Sequence, residues 1–232
     1  MNSKKIKPQF IKKVNPRVGL IVLATDVMIE KDFLKVFSEV SADLFINRIT
    51  NYNPVTSDNL KKMANNITSV AENILPGEKV DCVVYGCTSG TIVSGYDNIK
   101  KKINKAKPNA LVTAPSTAAL NALKKKNIKK ISVVTPYIKS VNDNVVNFFK
   151  DNDFEVTSNT YFDIQSDVDI GRVDQDQLFK ILSNINHKDA EALFVSCTSL
   201  PVLNIIEKLE KKLNMTVLSS NQALIWETLE SI

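Results

Sequence analysis

The fold follows from the stretch Val83-Val84-Tyr85-Gly86-Cys87-Thr88-Ser89-Gly90, because its core returns later as Leu193-Phe194-Val195-Ser196-Cys197-Thr198-Ser199-Leu200. In both copies, a run of β-branched and aromatic residues that is typical of a strand ends at a small residue. Cys-Thr-Ser follows, and then a helical pattern of apolar residues. Each copy therefore predicts a strand-to-helix turn with a thiol at its tip.

Turns of this kind lie at the carboxyl ends of parallel strands, where α/β proteins bind ligands. The backbone N–H groups of residues 88–90 and 198–200 would open the predicted helices unpaired, so they could hold an anion. The positive end of a helix also lowers the pKa of a thiol. Free cysteines more often pack as small hydrophobes, which is our interpretation of Cys82. The repetition of the motif favours a catalytic interpretation of Cys87 and Cys197.

Composition and charge exclude several classes of protein. Hydrophobic residues make up 44% of the 232 residues, yet no apolar run approaches the ~18 residues of a membrane span. The basic start, residues 1–8, lacks an apolar signal core, so we expect a frayed N-terminus and a cytoplasmic protein. The net charge of +5 comes from lysine clusters without interleaved aromatics, which argues against a nucleic-acid surface.

The cysteines and the histidine limit the possible chemistry. The 3 cysteines lack metal-type spacing, so we expect reduced thiols and no metal site. The sole histidine, His187, follows a helical pattern near a polar turn, and we expect it to be solvated. The acid and the base of any reaction must then come from other residues. A dithiol redox pair would normally have cysteines close in sequence.

The rest of the chain repeats one plan of alternating strands and helices. Strands are predicted at 17–24, 43–49, 80–85 and 110–113, and again at 130–135, 154–161, 192–196 and 215–218. Helices are predicted at 29–40, 60–74, 91–105 and from 114, and again at 138–150, 173–186, 201–213 and from 220. A polar loop at 50–54 could lie over a site, and the loop at 162–171 is rich in acidic residues.

This repeat predicts an α/β fold with two pseudo-symmetric Rossmann-like domains, each with a parallel sheet of about four strands flanked by helices. The predicted domains are residues 1–115 and 116–219, and the terminal helix at 220–232 packs back on the first. A pseudo-two-fold would bring both Cys-Thr-Ser tips face to face across a cleft. Two such thiols suit chemistry beside a carboxyl group, since one removes a proton and the other delivers one. Neither a metal nor an organic cofactor is needed.

Several motifs together resemble the aspartate/glutamate racemase superfamily, and most closely its maleate cis-trans isomerase and arylmalonate decarboxylase branch. Beyond the two cysteine turns, they are Arg17-Val18-Gly19-Leu20-Ile21-Val22, Val134-Thr135-Pro136-Tyr137 and Ser220-Asn221-Gln222-Ala223-Leu224-Ile225-Trp226. The resemblance implies that Cys87 is the base or nucleophile and Cys197 the acid. It implies that the substrate carboxylate is bound by Thr88, Ser89, Tyr137, Thr198 and Ser199. The decarboxylase keeps only the second cysteine, so the presence of both disfavours decarboxylation.

Asp26 departs from the maleate isomerases, which have asparagine at this strand tip. An aspartate here could simply cap the following helix. It would also repel a dicarboxylate, so our hypothesis is that Asp26, together with Asp167, recognises an amino group of the substrate. The sequences at 24–26 and 166–170 are similar to those of relatives from ectoine-utilisation clusters.

Three functions remain open at this point. The first is a cofactor-independent racemase or isomerase of a small carboxylic or amino acid. The second is a maleate cis-trans isomerase in which Cys87 adds covalently to the double bond, and the third is a small-carboxylate-binding protein without catalysis. We expect a homodimer or a higher homo-oligomer, since closed homo-oligomers are the commonest assemblies.

Overall fold

A computed structural model describes residues 3–11 and 15–232. Part of the predicted frayed terminus, Met1 and Asn2, lies outside the described residues, as do residues 12–14. Residues 3–11 are exposed and form no helix or strand. Throughout the described ranges, each helix is too short or too polar to cross a bilayer.

The structure contains two all-parallel sheets of four strands each, with strand orders β2-β1-β3-β4 and β6-β5-β7-β8. This confirms the predicted α/β fold with two matching halves. The strands are β1 (Arg17–Leu23), β2 (Asp43–Ile49), β3 (Cys82–Gly86), β4 (Leu111–Thr113), β5 (Lys130–Thr135), β6 (Glu155–Tyr161), β7 (Ala192–Val195) and β8 (Thr216–Ser219).

Helices connect the strands and cover the sheets. They are α1 (Ile29–Phe37), α2 (Ser57–Ala64), α3 (Ile67–Glu72), α4 (Thr88–Ser94), α5 (Tyr96–Ala106), α6 (Pro115–Lys125), α7 (Lys139–Lys150), α8 (Asp167–Ile170), α9 (Gln175–Asn184), α10 (Ile206–Leu213) and α11 (Ser220–Glu230), with a 3-10 helix at Leu203–Ile205.

The prediction of single helices at 60–74 and 91–105 was wrong, because each stretch contains a break. The first is interrupted at Asn65 and Asn66, which lie between α2 and α3. Asparagine side chains compete with helical hydrogen bonding and favour helix ends. The second is interrupted at Gly95, whose φ of 79° is accessible to glycine but not to a helix.

The prediction that His187 is solvated was also wrong. The ring is buried, with Nδ1 2.8 Å from Ser132 Oγ and Nε2 2.8 Å from the carbonyl oxygen of Leu182. Ser158 Oγ donates to Ser132 Oγ at 2.7 Å, which extends the buried network. The histidine therefore connects α9 to the interior of the second sheet and has a structural role.

The terminal helix α11 packs against the first sheet. Leu224 and Ile225 belong to a buried cluster with Val18, Leu20 and Phe33 of β1 and α1. A second, larger buried cluster extends through both halves, since it contains Ile21 of the first sheet and Phe194 of the second. The domain boundaries placed at 115/116 and 219/220 stay a prediction.

Candidate active site

The two cysteine turns lie where the sheet order reverses, beside β1 in the first half and beside β5 in the second. Val22 pairs with Gly86, and Val134 pairs with Val195, so each turn extends just past the carboxyl edge of its sheet. Ligands of open α/β sheets bind at such topological switch points. The sequence pattern thus predicted the edge at which the site forms.

Cys87 and Cys197 line one cavity between the two sheets. The cavity itself has a volume of about 20 Å³, which is room for about one water molecule, so it is nearly closed in this conformation and must open to admit a substrate. The side chains around it are apolar, hydroxyl, amide or acidic, and among the described residues no Lys, Arg or His lines it. The lining residues are Leu23, Asn51, Tyr52, Val55, Asn59, Leu60, Met63, Cys87, Thr88, Ser89, Tyr137, Asp167, Cys197 and Thr198.

The first turn is a strand-to-helix turn, as predicted. Cys87 is the N-cap residue of α4, and its Sγ accepts a hydrogen bond of 3.2 Å from the backbone N–H of Gly90. The hydroxyl of Ser89 lies 3.9 Å from the same sulfur. Burial raises the pKa of the Cys87 thiol to about 12, although the Gly90 N–H lowers it. The free protein therefore holds Cys87 as a thiol.

The second turn differs from the prediction, because no helix begins at Thr198. Residues 198–200 form a bend, and the first helical turn comes only with the 3-10 helix at Leu203–Ile205. Pro201 favours an extended conformation in the residue before it, which opposes a helix here. Cys197 has a φ of 100°, a costly conformation for a residue with a side chain. Such strain is found preferentially at functional sites.

Cys197 is as buried as Cys87. Burial, followed by the charge of Asp167, raises the pKa of its thiol well above the ordinary value, whereas the hydroxyl of Tyr137 lowers it. Tyr137 is itself buried, and burial keeps the pKa of its phenol well above the ordinary value. Its hydroxyl is therefore protonated and able to donate a hydrogen bond inside the cavity.

Ser220, at the first position of α11, joins the two turns. Its Oγ accepts hydrogen bonds from Thr88 Oγ1 at 2.9 Å and from the backbone N–H of Cys197 at 3.0 Å. The neighbouring Asn221 donates to the carbonyl oxygen of Thr198 at 2.8 Å. The motif at 220–226 carries part of the family resemblance, but no contact within the site was predicted for it. The small polar residues that begin this helix are similar to those at 114–120, and this similarity was the sequence signal that could have indicated a role in the site.

Asp167 lines the cavity and is held by hydroxyls from both halves of the chain. Thr25 Oγ1 donates to its Oδ2 at 2.8 Å, and Ser199 Oγ donates to its Oδ1 at 2.9 Å. Thr25 is held in turn by Asn51 Nδ2 at 2.6 Å. Burial, followed by the charge of Asp26, raises the pKa of Asp167 to about 6. Thr25 and Asn51 are further site residues that the sequence analysis missed.

Asp26 and Ser199 do not line the cavity. Asp26 Oδ1 accepts from the backbone N–H groups of Met28 at 2.8 Å and Ile29 at 3.0 Å, which is the arrangement of a helix cap. Its Oδ2 is buried and has no hydrogen-bond partner within the described part of the chain, since the nearby hydroxyls of Thr198 and Ser199 donate to the Gly86 carbonyl oxygen and to Asp167. Burial outweighs the two backbone hydrogen bonds and raises the pKa of Asp26. Its charge also reaches Asp167.

The loop before α2 covers the cavity and contacts the second half. Asn51 and Tyr52 line the cavity, and the backbone N–H of Val55 donates to the carbonyl oxygen of Gln165 at 3.0 Å. Asn53 Oδ1 accepts from the backbone N–H of Asp167 at 3.2 Å. The loop therefore lies over the site, as predicted for 50–54. In the two described ranges, no cluster of three potential metal-ligating residues occurs.

Comparisons with known proteins identify similar chains. A family model described as arylmalonate decarboxylase matches residues 18–232. Maleate isomerase from Geobacillus stearothermophilus is 23% identical over 231 residues, which cover 93% of this chain and 91% of that protein.

Solved structures of similar fold include two maleate isomerase variants. A cysteine-to-serine variant of Nocardia farcinica maleate cis-trans isomerase was solved with a covalently bound succinylcysteine intermediate. Its TM-score is 0.85 at 18% identity, and the match covers 93% of this chain and 92% of that chain. A cysteine-to-alanine variant of Pseudomonas putida S16 maleate isomerase, solved with maleate, has a TM-score of 0.84, 22% identity and coverage of 94% and 91%.

Proposed function

Because the chain belongs to the arylmalonate decarboxylase family, we propose that it is a cofactor-independent isomerase in which Cys87 and Cys197 act as base and acid on a small α-amino acid. The membership confirms the resemblance inferred from the motifs. The proposal rests on one observation: two cysteines and a carboxylate line a single cavity that has no basic side chain among the described residues.

The proposed reaction is a proton transfer at the α-carbon. The Cys87 thiolate takes the α-proton, which breaks the C–H bond and moves its electron pair into the carboxylate. The Cys197 thiol then gives its proton to the opposite face of the same carbon, which inverts the centre. The hydroxyls of Thr88, Ser89 and Tyr137 would donate hydrogen bonds to the carboxylate oxygens while they hold the extra charge. The reverse direction exchanges the roles of the two cysteines.

The charges of the site favour a substrate with an ammonium group. Asp167 already has a raised pKa, and its charge raises the pKa values of both thiols as well. A dianionic substrate would add to this repulsion, whereas an ammonium beside Asp167 would relieve it. Binding of an amino acid would therefore favour ionisation of the thiol that removes the proton. Asp26 would contribute its charge from behind the cavity wall.

The second candidate is a maleate cis-trans isomerase. The similar Nocardia farcinica structure, with its succinylcysteine, favours this candidate. In that reaction, the Cys87 thiolate would form an S–C bond with the alkene, and Cys197 would protonate the neighbouring carbon. Rotation about the new single bond and the reverse elimination would release fumarate. The carboxylate of Asp167 in the cavity disfavours this dianionic substrate.

Proton NMR in deuterated water distinguishes the candidates. The protein is incubated with single enantiomers of small α-amino acids and, separately, with maleate. We expect loss of the α-proton signal together with racemisation of an amino acid. Formation of fumarate without α-proton exchange would instead support the maleate isomerase. A protein that binds a ligand and catalyses neither reaction would be the non-catalytic carboxylate-binding protein.

The variant Asp26→Asn tests recognition of the amino group. Removing this charge should weaken turnover of the amino acid relative to that of maleate, because less negative potential would remain beside Asp167. Asp169→Asn is the matched control, since Asp169 is exposed and pairs with Arg172 at 3.4 Å. An unchanged ratio of the two rates in Asp26→Asn would contradict the ammonium hypothesis.

A further inference from the structure

The hydroxyl of Tyr85 is a buried polar group without a partner. Tyr85 is on β3, its side chain is fully buried, and its oxygen has no hydrogen bond to any described residue. An unpaired buried hydroxyl costs free energy, so its retention calls for an explanation. Phenylalanine would fill the same space without that cost.

The hydroxyl lies next to Cys87. The two residues are separated by one position on an extended segment, so their side chains are on the same face. Both groups lie against Gly90: a methyl group placed on its Cα would stand 2.8 Å from Cys87 Sγ, 3.0 Å from the Tyr85 hydroxyl oxygen and 3.1 Å from the Met63 methyl group, so the space is filled and only glycine fits there. Burial, followed by the charge of an ionised Cys87, raises the pKa of the Tyr85 phenol, so the hydroxyl keeps its proton and can donate it.

We propose that Tyr85 is a positioning residue that donates a hydrogen bond to Cys87 when the thiol ionises. In the resting protein, Cys87 Sγ already accepts from the Gly90 N–H, and no residue that the structure describes forms a hydrogen bond with the Tyr85 hydroxyl. Loss of the thiol proton gives the sulfur a full charge and further acceptor capacity. A movement of the two side chains toward each other beside Gly90, where no Cβ stands between them, then brings the hydroxyl into hydrogen-bond contact.

The second cysteine has a comparable partner. The hydroxyl of Tyr137 lowers the pKa of Cys197, so each thiol has one tyrosine hydroxyl nearby. The two tyrosines differ in position, since Tyr137 lines the cavity and Tyr85 does not. Tyr85 therefore acts on the sulfur from the protein side and leaves the cavity free for the substrate.

Thiol reactivity tests this inference without a substrate. The inference rests on the proposed ionisation of Cys87. Alkylation measures the effect of Tyr85 on this thiol whether or not the protein isomerises a substrate, so failure of the inference can be distinguished from failure of the proposed function. The protein is treated with iodoacetamide at pH 8, and alkylation of Cys87 and Cys197 is followed separately by peptide mass spectrometry. A hydrogen bond to a charged group favours the thiolate by about ten- to a hundredfold, so Tyr85→Phe should slow alkylation of Cys87 by that factor. The rate at Cys197 reports any change in opening of the cavity.

Tyr96→Phe is the matched control, because the Tyr96 hydroxyl donates to the carbonyl oxygen of Val112 at 2.7 Å and does not line the cavity. It should leave the ratio of the Cys87 and Cys197 rates unchanged. The melting temperature of Tyr85→Phe should stay the same or rise, since no hydrogen bond of the folded protein is lost. An unchanged ratio of alkylation rates in Tyr85→Phe, or a fall in both rates together, would overturn the inference.

Discussion

Replacing Asp167 with asparagine should stabilise the protein at neutral pH while it impairs amino-acid turnover. The carboxyl group is buried, and its pKa rises from 3.8 to about 6. The folded protein thus binds this proton more tightly than the unfolded chain does. Between about pH 4 and 6, stability falls as the pH rises, because the folded state then holds more protons than the unfolded state. An asparagine has no charge to bury, so the variant lacks this loss.

The size of the effect follows from the pKa values. One pKa unit corresponds to about 1.4 kcal/mol. The rise of the Asp167 pKa from 3.8 to about 6 therefore lowers the free energy of unfolding by roughly 3 kcal/mol above pH 6. The charge of Asp26 contributes to the raised pKa and titrates with it, so we expect a gain of about 1–3 kcal/mol. For a chain of this length, each kcal/mol shifts the melting temperature by about 2–4 °C.

Thermal unfolding of both proteins from pH 4 to pH 8 provides the assay. The advantage of Asp167→Asn should be largest at pH 7–8 and should disappear near pH 4. Asp169→Asn is again the control, since this exposed carboxylate lies on the same short helix. A variant that is less stable at pH 7.5, or an advantage of equal size at every pH, would refute the reasoning.

Two further predictions concern buried polar contacts. Ser220→Ala should lower the free energy of unfolding in urea by roughly 1–3 kcal/mol, because the Cys197 N–H loses its acceptor. The same loss should slow turnover per folded molecule, and unchanged turnover would contradict the place of Ser220 in the site. His187→Ala should cost roughly 2–4 kcal/mol, because two buried hydrogen bonds are lost. Turnover per folded molecule should remain normal in this variant, and a specific loss of activity would contradict a structural role.

Much of the fold could be predicted because strand residues that are buried on both faces form continuous apolar runs. The pattern located the eight strands found in residues 3–11 and 15–232, and the repeated Cys-Thr-Ser motif indicated the matching halves. The helix breaks at Asn65–Asn66 and Gly95 were missed, as was the bend after Cys197, because local turn conformation overrides the apolar period there. The buried environment of His187 was missed because it depends on Ser132 and Leu182, which come from other elements.

The site residues could be predicted where they belong to the two cysteine turns or, as with Tyr137, to another motif of the family resemblance. The structure brings Cys87, Cys197, Thr88, Thr198 and Tyr137 to one cavity, together with Ser89. The roles of these residues stay a prediction. Thr25, Asn51 and Ser220 were missed because they act through contacts between distant segments, which no local pattern reveals.

The central claim is that two cysteines work on opposite faces of one small substrate, and isotope exchange by single-cysteine variants tests it most directly. In deuterated water, Cys197→Ala should stop racemisation and still exchange the α-proton of one enantiomer, whereas Cys87→Ala should exchange only the other. Cys82→Ala should behave as the unmodified protein, because this buried cysteine of β3 does not line the cavity. Full racemisation by either active-site variant, or its loss in Cys82→Ala, would contradict the account.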